Sequence, residues 1–244
     1  MKKFILTLAL LVPGLALAAG SGYHLDKANY DLTDKASLQR GAQLFVNYCL
    51  GCHQMQYQRY QRTFEDLGIP FELGQEHLQF TGEKVGDHMT NNMSSDSAAA
   101  WFGAPPPDLT LVARVRTADW VYTYLRTFYA DDSRPFGVNN KVFPEVGMPH
   151  VLQELQGVQS ETTEKRLVDG EMKDVYVGLK SDGTGTMSES EYDQAMLDLV
   201  NFLVYTGEPS RLESESIGRW VIVFLFILLV LVYLLKKEYW REVH

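Results

Sequence analysis

Cys49-Leu50-Gly51-Cys52-His53 is the one segment whose residue types and spacing can do distinctive chemistry. Two thiols at this spacing can each add to a vinyl group of one macrocycle, and the adjacent histidine can reach a metal at its centre. That is the attachment motif of a c-type haem. A zinc site would need a second pair of ligands, and the chain has only these two cysteines. A thioredoxin-like dithiol would open a helix after a strand. Here the motif closes a helical pattern, with Leu38, Ala42, Phe45 and Tyr48 on one face of residues 34–48. One covalent haem c is expected, held by Cys49 and Cys52, with His53 on the iron.

The sixth iron ligand decides what such a haem can do. A methionine opposite the histidine closes the iron and raises its potential, which suits electron transfer; an open position suits gas sensing or peroxide chemistry. Met55 is too close to His53 to reach the opposite face. Met196 falls on the apolar stripe of a helix, and Met172 and Met187 lie in or beside a hairpin pattern. Met148 stands in Val146-Gly147-Met148-Pro149, where glycine and proline can fix a loop that presses a thioether onto iron. Met89, Met93 and His150 are its competitors on these grounds.

The elements that must position these groups are mostly helical. Asp108 is placed to cap a short helix through Arg114, and Thr117 a second one carrying Trp120, Val121, Tyr124, Leu125 and Phe128. Lys165 to Val177 alternates around Asp169-Gly170, a hairpin signal. Ser188-x-x-Glu191 is a capping box before Tyr192, Ala195, Met196, Leu199, Phe202 and Leu203. Residues 50–107 and 130–150 read as long loops, unusual unless they wrap something. An apolar macrocycle is such a thing, because it supplies core that loops can pack around.

Both ends of the 244-residue chain are apolar. Lys2 and Lys3 precede Phe4–Leu17, closed by Ala16-Leu17-Ala18, which describes a secretory signal peptide over 1–18. Near the other end, sixteen uncharged residues, 220–235, lie between Arg219 and Lys236. They make about 24 Å of helix, slightly short of a hydrocarbon core, and Ile217, Gly218 and a snorkelling Arg219 extend the span. Trp220 at one edge, with Tyr233, Tyr239 and Trp240 at the other, suits the interfaces, and Lys236, Lys237 and Arg241 put the C-terminus in the cytoplasm. The expected organisation is a signal peptide over 1–18, an exported haem domain over 19–215, a transmembrane helix over 216–236 in contact with lipid, and a cytoplasmic tail over 237–244.

The exported portion resembles the cytochrome c1 family, the haem subunits of ubiquinol–cytochrome c reductase, in its bacterial form. The resemblance rests on Arg40-Gly41-Ala42-Gln43, the haem motif with Gln54-Met55, and Gly103-Ala104-Pro105-Pro106-Pro107-Asp108-Leu109-Thr110. Arg114-Val115-Arg116, Asn140-x-x-Phe143-Pro144, Gly147-Met148-Pro149 and the anchor after Glu208-Pro209 follow in the family's order. It implies a mainly α, cytochrome c-like domain with long loops around the haem, a small β-hairpin insertion and one C-terminal transmembrane helix. It also implies Met148 as sixth ligand, a backbone carbonyl of the Pro106-Pro107 segment accepting the His53 Nδ1 proton, and Arg116 pairing with a haem propionate. The chain departs from the pattern at Trp101-Phe102, Trp120 and Pro149-His150. The implied activity is relay of single electrons from a Rieske iron–sulfur subunit to a soluble periplasmic cytochrome c, beside a cytochrome b subunit in the inner membrane. The enzyme is then the complex; this chain is a carrier with no catalytic residues of its own.

Charge fits such a setting. The chain carries 22 basic and 31 acidic residues, a net charge of −9, which argues against nucleic acid as a partner. Residues 19–215 alone hold 16 basic and 29 acidic side chains, a net charge of −13. Most of these solvate a surface; a subset could steer a basic acceptor toward the haem edge. N-terminal sequencing of the membrane-extracted protein is expected to begin at Ala19, and a start at Met1 would overturn cleavage.

Overall fold

The structure, a computed structural model, describes residues 23–242 apart from Glu83 and Asp169. The leader expected over 1–18 lies outside these residues. Helix α1, Lys35–Leu44, starts where the Asp34 carboxylate accepts from the Ser37 backbone N–H at 3.0 Å. Its buried face is Ser37, Leu38, Gly41 and Ala42, and it runs into one π-helical turn, Phe45–Cys49.

That face packs against α8, Glu189–Gly207, which opens with the expected Ser188–Glu191 capping box. The two helices meet at Gly41, where a Cβ would lie 2.1 Å from the Asp198 carbonyl oxygen and 2.8 Å from Phe202 Cβ. Only glycine permits this approach. Beside it the Asp198 carboxylate is 2% exposed, yet it accepts from Ser37 Oγ at 2.7 Å, Arg40 Nε at 2.6 Å and Gln194 Nε2 at 3.0 Å. A buried charge is tolerable when it is paired and its lone pairs are filled.

Between these helices the chain forms β1 (Met55–Arg59), α2 (Tyr60–Leu67), α3 (Phe71–His77), β2 (His88–Met89), α4 (Ser95–Phe102), α5 (Val112–Arg116) and α6 (Ala118–Arg126). Then come β3 (Phe128–Ala130), β4 (Val138–Asn140), α7 (Gln153–Gln156), β5 (Gln159–Val168) and β6 (Glu171–Ser181). The strands pair antiparallel two by two: β1 with β2, β3 with β4, β5 with β6. The mainly α architecture is as expected, but 50–107 is less loop-like than its sequence suggests. Tyr60, Thr63, Phe64 and Leu67 are a helical face in which threonine replaces one apolar residue, and all four are buried.

Other details differ. Asp108 caps no helix: its carboxylate accepts from the backbone N–H groups of Gln56 at 2.8 Å and Thr110 at 2.9 Å, and α5 begins later, at Val112. Thr117 does cap α6, accepting from Trp120 N at 3.3 Å from a backbone with φ +77°. The β5–β6 hairpin outruns its expected bounds, pairing from Gln159↔Ser181 to Val168↔Glu171. Its base is tied to the domain by Gln159 Nε2, which donates to Phe128 O at 2.8 Å, and by Lys141, which pairs with Glu161 and lies over the Tyr176 ring. Helix α9 runs from Arg211 to Tyr239, longer than the expected 216–236, with a mean hydropathy of 2.7 in its apolar stretch and no part of that stretch buried.

Gly41→Ala is expected to destabilise the domain by about 1–3 kcal/mol through overpacking against backbone that cannot retreat. A lower thermal midpoint of the full chain in detergent checks this; an unchanged midpoint would mean that the α1–α8 contact is adjustable.

Candidate haem site

The π-helical turn brings the attachment motif off the end of α1. Leu50 N donates to Phe45 O at 2.9 Å, and Cys52 N and His53 N both donate to Cys49 O, at 3.0 and 2.8 Å. The motif thus coils about one carbonyl, with Cys49 buried and Cys52 partly exposed. Burial pushes the Cys49 thiol up to about 12. Among the described residues no cluster of three or more His, Cys, Asp or Glu side chains could hold a metal ion by itself.

His53 is 9% exposed, and its Nδ1 lies 2.8 Å from the carbonyl oxygen of Pro107. A carbonyl only accepts, so Nδ1 carries the proton and Nε2 keeps its lone pair. Burial holds the ring below the ordinary histidine value, against the opposing pull of that carbonyl. The Pro105–Asp108 strap is held in place by Leu109 N, donating to Gln54 O at 2.8 Å, and by the Asp108 carboxylate on Gln56 N. Three successive prolines have no N–H, so this strap can wall an apolar space without orphaned donors.

Opposite lies the loop carrying Met148. Asn140 holds it: Nδ2 donates to Tyr124 O at 2.8 Å, and Oδ1 accepts from Val142 N and Phe143 N at 2.9 and 3.1 Å. Asn139 Oδ1 accepts from Glu145 N at 2.8 Å, and Glu145 takes φ +61°. The Tyr124 hydroxyl donates to Met148 Sδ at 3.3 Å, and burial pushes this phenol well above its ordinary value, so it remains a donor.

Between strap and loop is a cavity of about 410 Å³ that Cys49, Cys52, His53, Pro107, Arg116 and Met148 all line. Leu199 and Leu203 of α8 and Val121 and Leu125 of α6 complete an apolar interior. Volume, apolar lining and a free imidazole Nε2 fit a haem. Of the histidines and methionines weighed from the sequence, only His53 and Met148 reach this cavity. Met89 is buried opposite Met55 in the β1–β2 pair, Met93 lines a separate cavity of about 220 Å³ behind Cys52, and His150 stacks on Phe128 with ring centroids 4.7 Å apart.

Arg116 Cζ sits 5.0 Å from the Trp120 ring centre and 5.9 Å from that of Phe143. Among the described residues it has no carboxylate partner, whereas Arg114 pairs with Glu208 at 3.7 Å. Asn139 and Tyr124 were not singled out as site residues from sequence. Tyr124 carries the signal of any residue on an apolar helix face, and nothing local distinguishes a cavity wall from a core.

Residues 26–243 match the Cytochrome C1 family. The chain is 54% identical over 245 residues to cytochrome c1 of Allochromatium vinosum, covering all of both chains. It is 46% identical over 244 residues to a Nitrosomonas europaea protein named ammonia monooxygenase gamma subunit, covering 100% and 99% of the two. Cytochrome c1 of Rhodospirillum rubrum is 28% identical over 262 residues, with 97% and 94% covered. The chain belongs to the cytochrome c1 family, the covalent haem c subunits of the bc1 reductase in respiratory electron transport, and among the described residues one helix, α9, is long and apolar enough to cross a membrane.

Proposed function

We propose that this chain takes single electrons from the Rieske iron–sulfur subunit and passes them to a soluble periplasmic cytochrome c, beside cytochrome b in the inner membrane. The observation that carries the reading is that six residues, drawn from four separate stretches of sequence, line one apolar cavity. Bound haem c supplies a one-electron iron couple, and the protein sets its potential through axial ligands, hydrogen bonds and burial.

In this reading Cys49 and Cys52 would carry the thioether links to the haem, and His53 would hold its iron through the Nε2 that the bond to Pro107 O leaves free. Met148 would supply a soft thioether as a further ligand, which would favour the reduced state. Arg116, with aromatic rings against it and no carboxylate partner among the described residues, is placed to pair with a propionate. The organisation proposed is a cleaved leader over 1–18, a periplasmic domain over 19–215, an anchor over 216–236 and a cytoplasmic tail over 237–244. Lys236, Lys237 and Arg241 support that orientation.

The name of the Nitrosomonas europaea relative favours a second reading, in which such a chain serves an ammonia-oxidising assembly. The two readings differ in companions. Isolation of the membrane complex in mild detergent is expected to bring down a b-type cytochrome and a Rieske protein, with antimycin-sensitive quinol oxidation. Co-isolation with monooxygenase subunits instead would favour the second reading.

Met148→Leu is expected to abolish the near-infrared sulfur-to-iron charge-transfer band of the oxidised protein and to lower the midpoint potential. Survival of the band in that variant would remove Met148 as ligand.

A further inference from the structure

Tyr124 has a place in the site that its helix pattern does not explain. Its ring is held on two sides, stacked on Trp120 with centroids 5.0 Å apart and planes at 9°, and edge-on to Phe128 at 5.1 Å and 71°. Its carbonyl oxygen accepts from Asn140 Nδ2 at 2.8 Å, and Asn140 in turn orders the start of the Met148 loop through Val142 N and Phe143 N. Its hydroxyl, turned into the cavity wall, has one hydrogen-bond partner among the described residues: Met148 Sδ at 3.3 Å. One residue therefore bears on the methionine by two routes, indirectly through Asn140, which orders its loop, and directly at the sulfur.

We propose that Tyr124 is a positioning residue for the sixth ligand, its hydroxyl fixing the Met148 thioether and raising the midpoint potential. The inference rests on the reading of Met148 as that ligand. A thioether sulfur is a weak acceptor, so a phenol in hydrogen-bond contact draws charge from it. A sulfur that gives less charge to the metal stabilises the oxidised iron less, and the couple shifts toward the reduced form. The near-parallel stack on Trp120 is the contact that matters, because a hydroxyl that could swing away would neither orient the sulfur nor polarise it.

The test is Tyr124→Phe in the full-length haem protein in detergent, which keeps the ring and removes only the oxygen. The sulfur-to-iron band is expected to persist in the oxidised state while the redox equilibrium shifts threefold to tenfold toward the oxidised form. Tenfold is about 59 mV for a one-electron couple. Displacement of methionine by alkali is expected at higher pH, since a sulfur relieved of the phenol holds oxidised iron better. Phe128→Leu, which loosens the ring's edge contact and keeps the hydroxyl, is expected to leave the equilibrium within twofold. A band that persists in Tyr124→Phe with the potential unchanged or raised would overturn the inference and leave Met148 in place. Equal falls in the two variants would overturn it in favour of simple packing. Absence of the band from the unaltered protein would overturn the Met148 reading itself, and this inference with it.

Discussion

The hydrogen bond between His53 Nδ1 and the Pro107 carbonyl, 2.8 Å long, ties the attachment motif to a strap more than fifty residues further along the chain. By occupying Nδ1 it selects one tautomer and leaves one nitrogen free for a metal. It also sets a demand on the rest of the wall. The carbonyl must be delivered at the edge of an apolar cavity, and the backbone that delivers it must not strand donors there. Pro105, Pro106 and Pro107 meet that demand by having no N–H to satisfy, while Leu109 N and the Asp108 carboxylate bind the strap to the strand-like segment after the motif. The strap is thus a structural consequence of the histidine's chemistry.

A wall of straps and loops needs a rigid frame behind it, and that frame is the α1–α8 pair. Gly41 lets the helices approach, and the Asp198 carboxylate, filled by Ser37, Arg40 and Gln194, fixes their register. Helix α6 joins the frame where Tyr192 Oη donates to Leu125 O at 2.9 Å. Leu199 and Leu203 then face the cavity from one side while the π-helical turn delivers Cys49 from another. Packing of the frame and placement of the thiols are therefore one problem: a shift along α1 moves both.

What was legible in the sequence was local. The haem motif, the Thr117 cap and the Ser188–Glu191 capping box each complete themselves within five residues, and the two caps stand where expected. Asp108 shows the limit of that logic. A carboxylate near a helix start reads as a cap, but it bonds whichever N–H groups lie closest in space, and one of those belongs to Gln56. Met89 shows it again, since only the pairing of β2 with β1 places it in the main core beside Met55 and away from the cavity. The residues of the haem motif were readable because their spacing is the chemistry. Tyr124 was not, because its role arises only when the loop after β4 folds back over α6.

The anchor follows the same economy. Three residues, 208–210, separate α8 from α9, too few for a slack tether. The start of α9 is gripped by the domain: Arg211 Nη1 donates to Tyr30 Oη at 2.9 Å, and Ser210 Oγ accepts from Arg62 at 3.2 Å. Helix α9 is continuous from Arg211, and nine residues of it, about 13 Å, lead from there to Trp220. A flexible linker would let the haem domain roam and sample many distances to a partner fixed in the membrane. A short junction with side-chain contacts confines that search, because electron transfer depends on the edge of the macrocycle lying close to its donor. The same helix that holds the protein in the bilayer therefore also limits where its cavity can be presented.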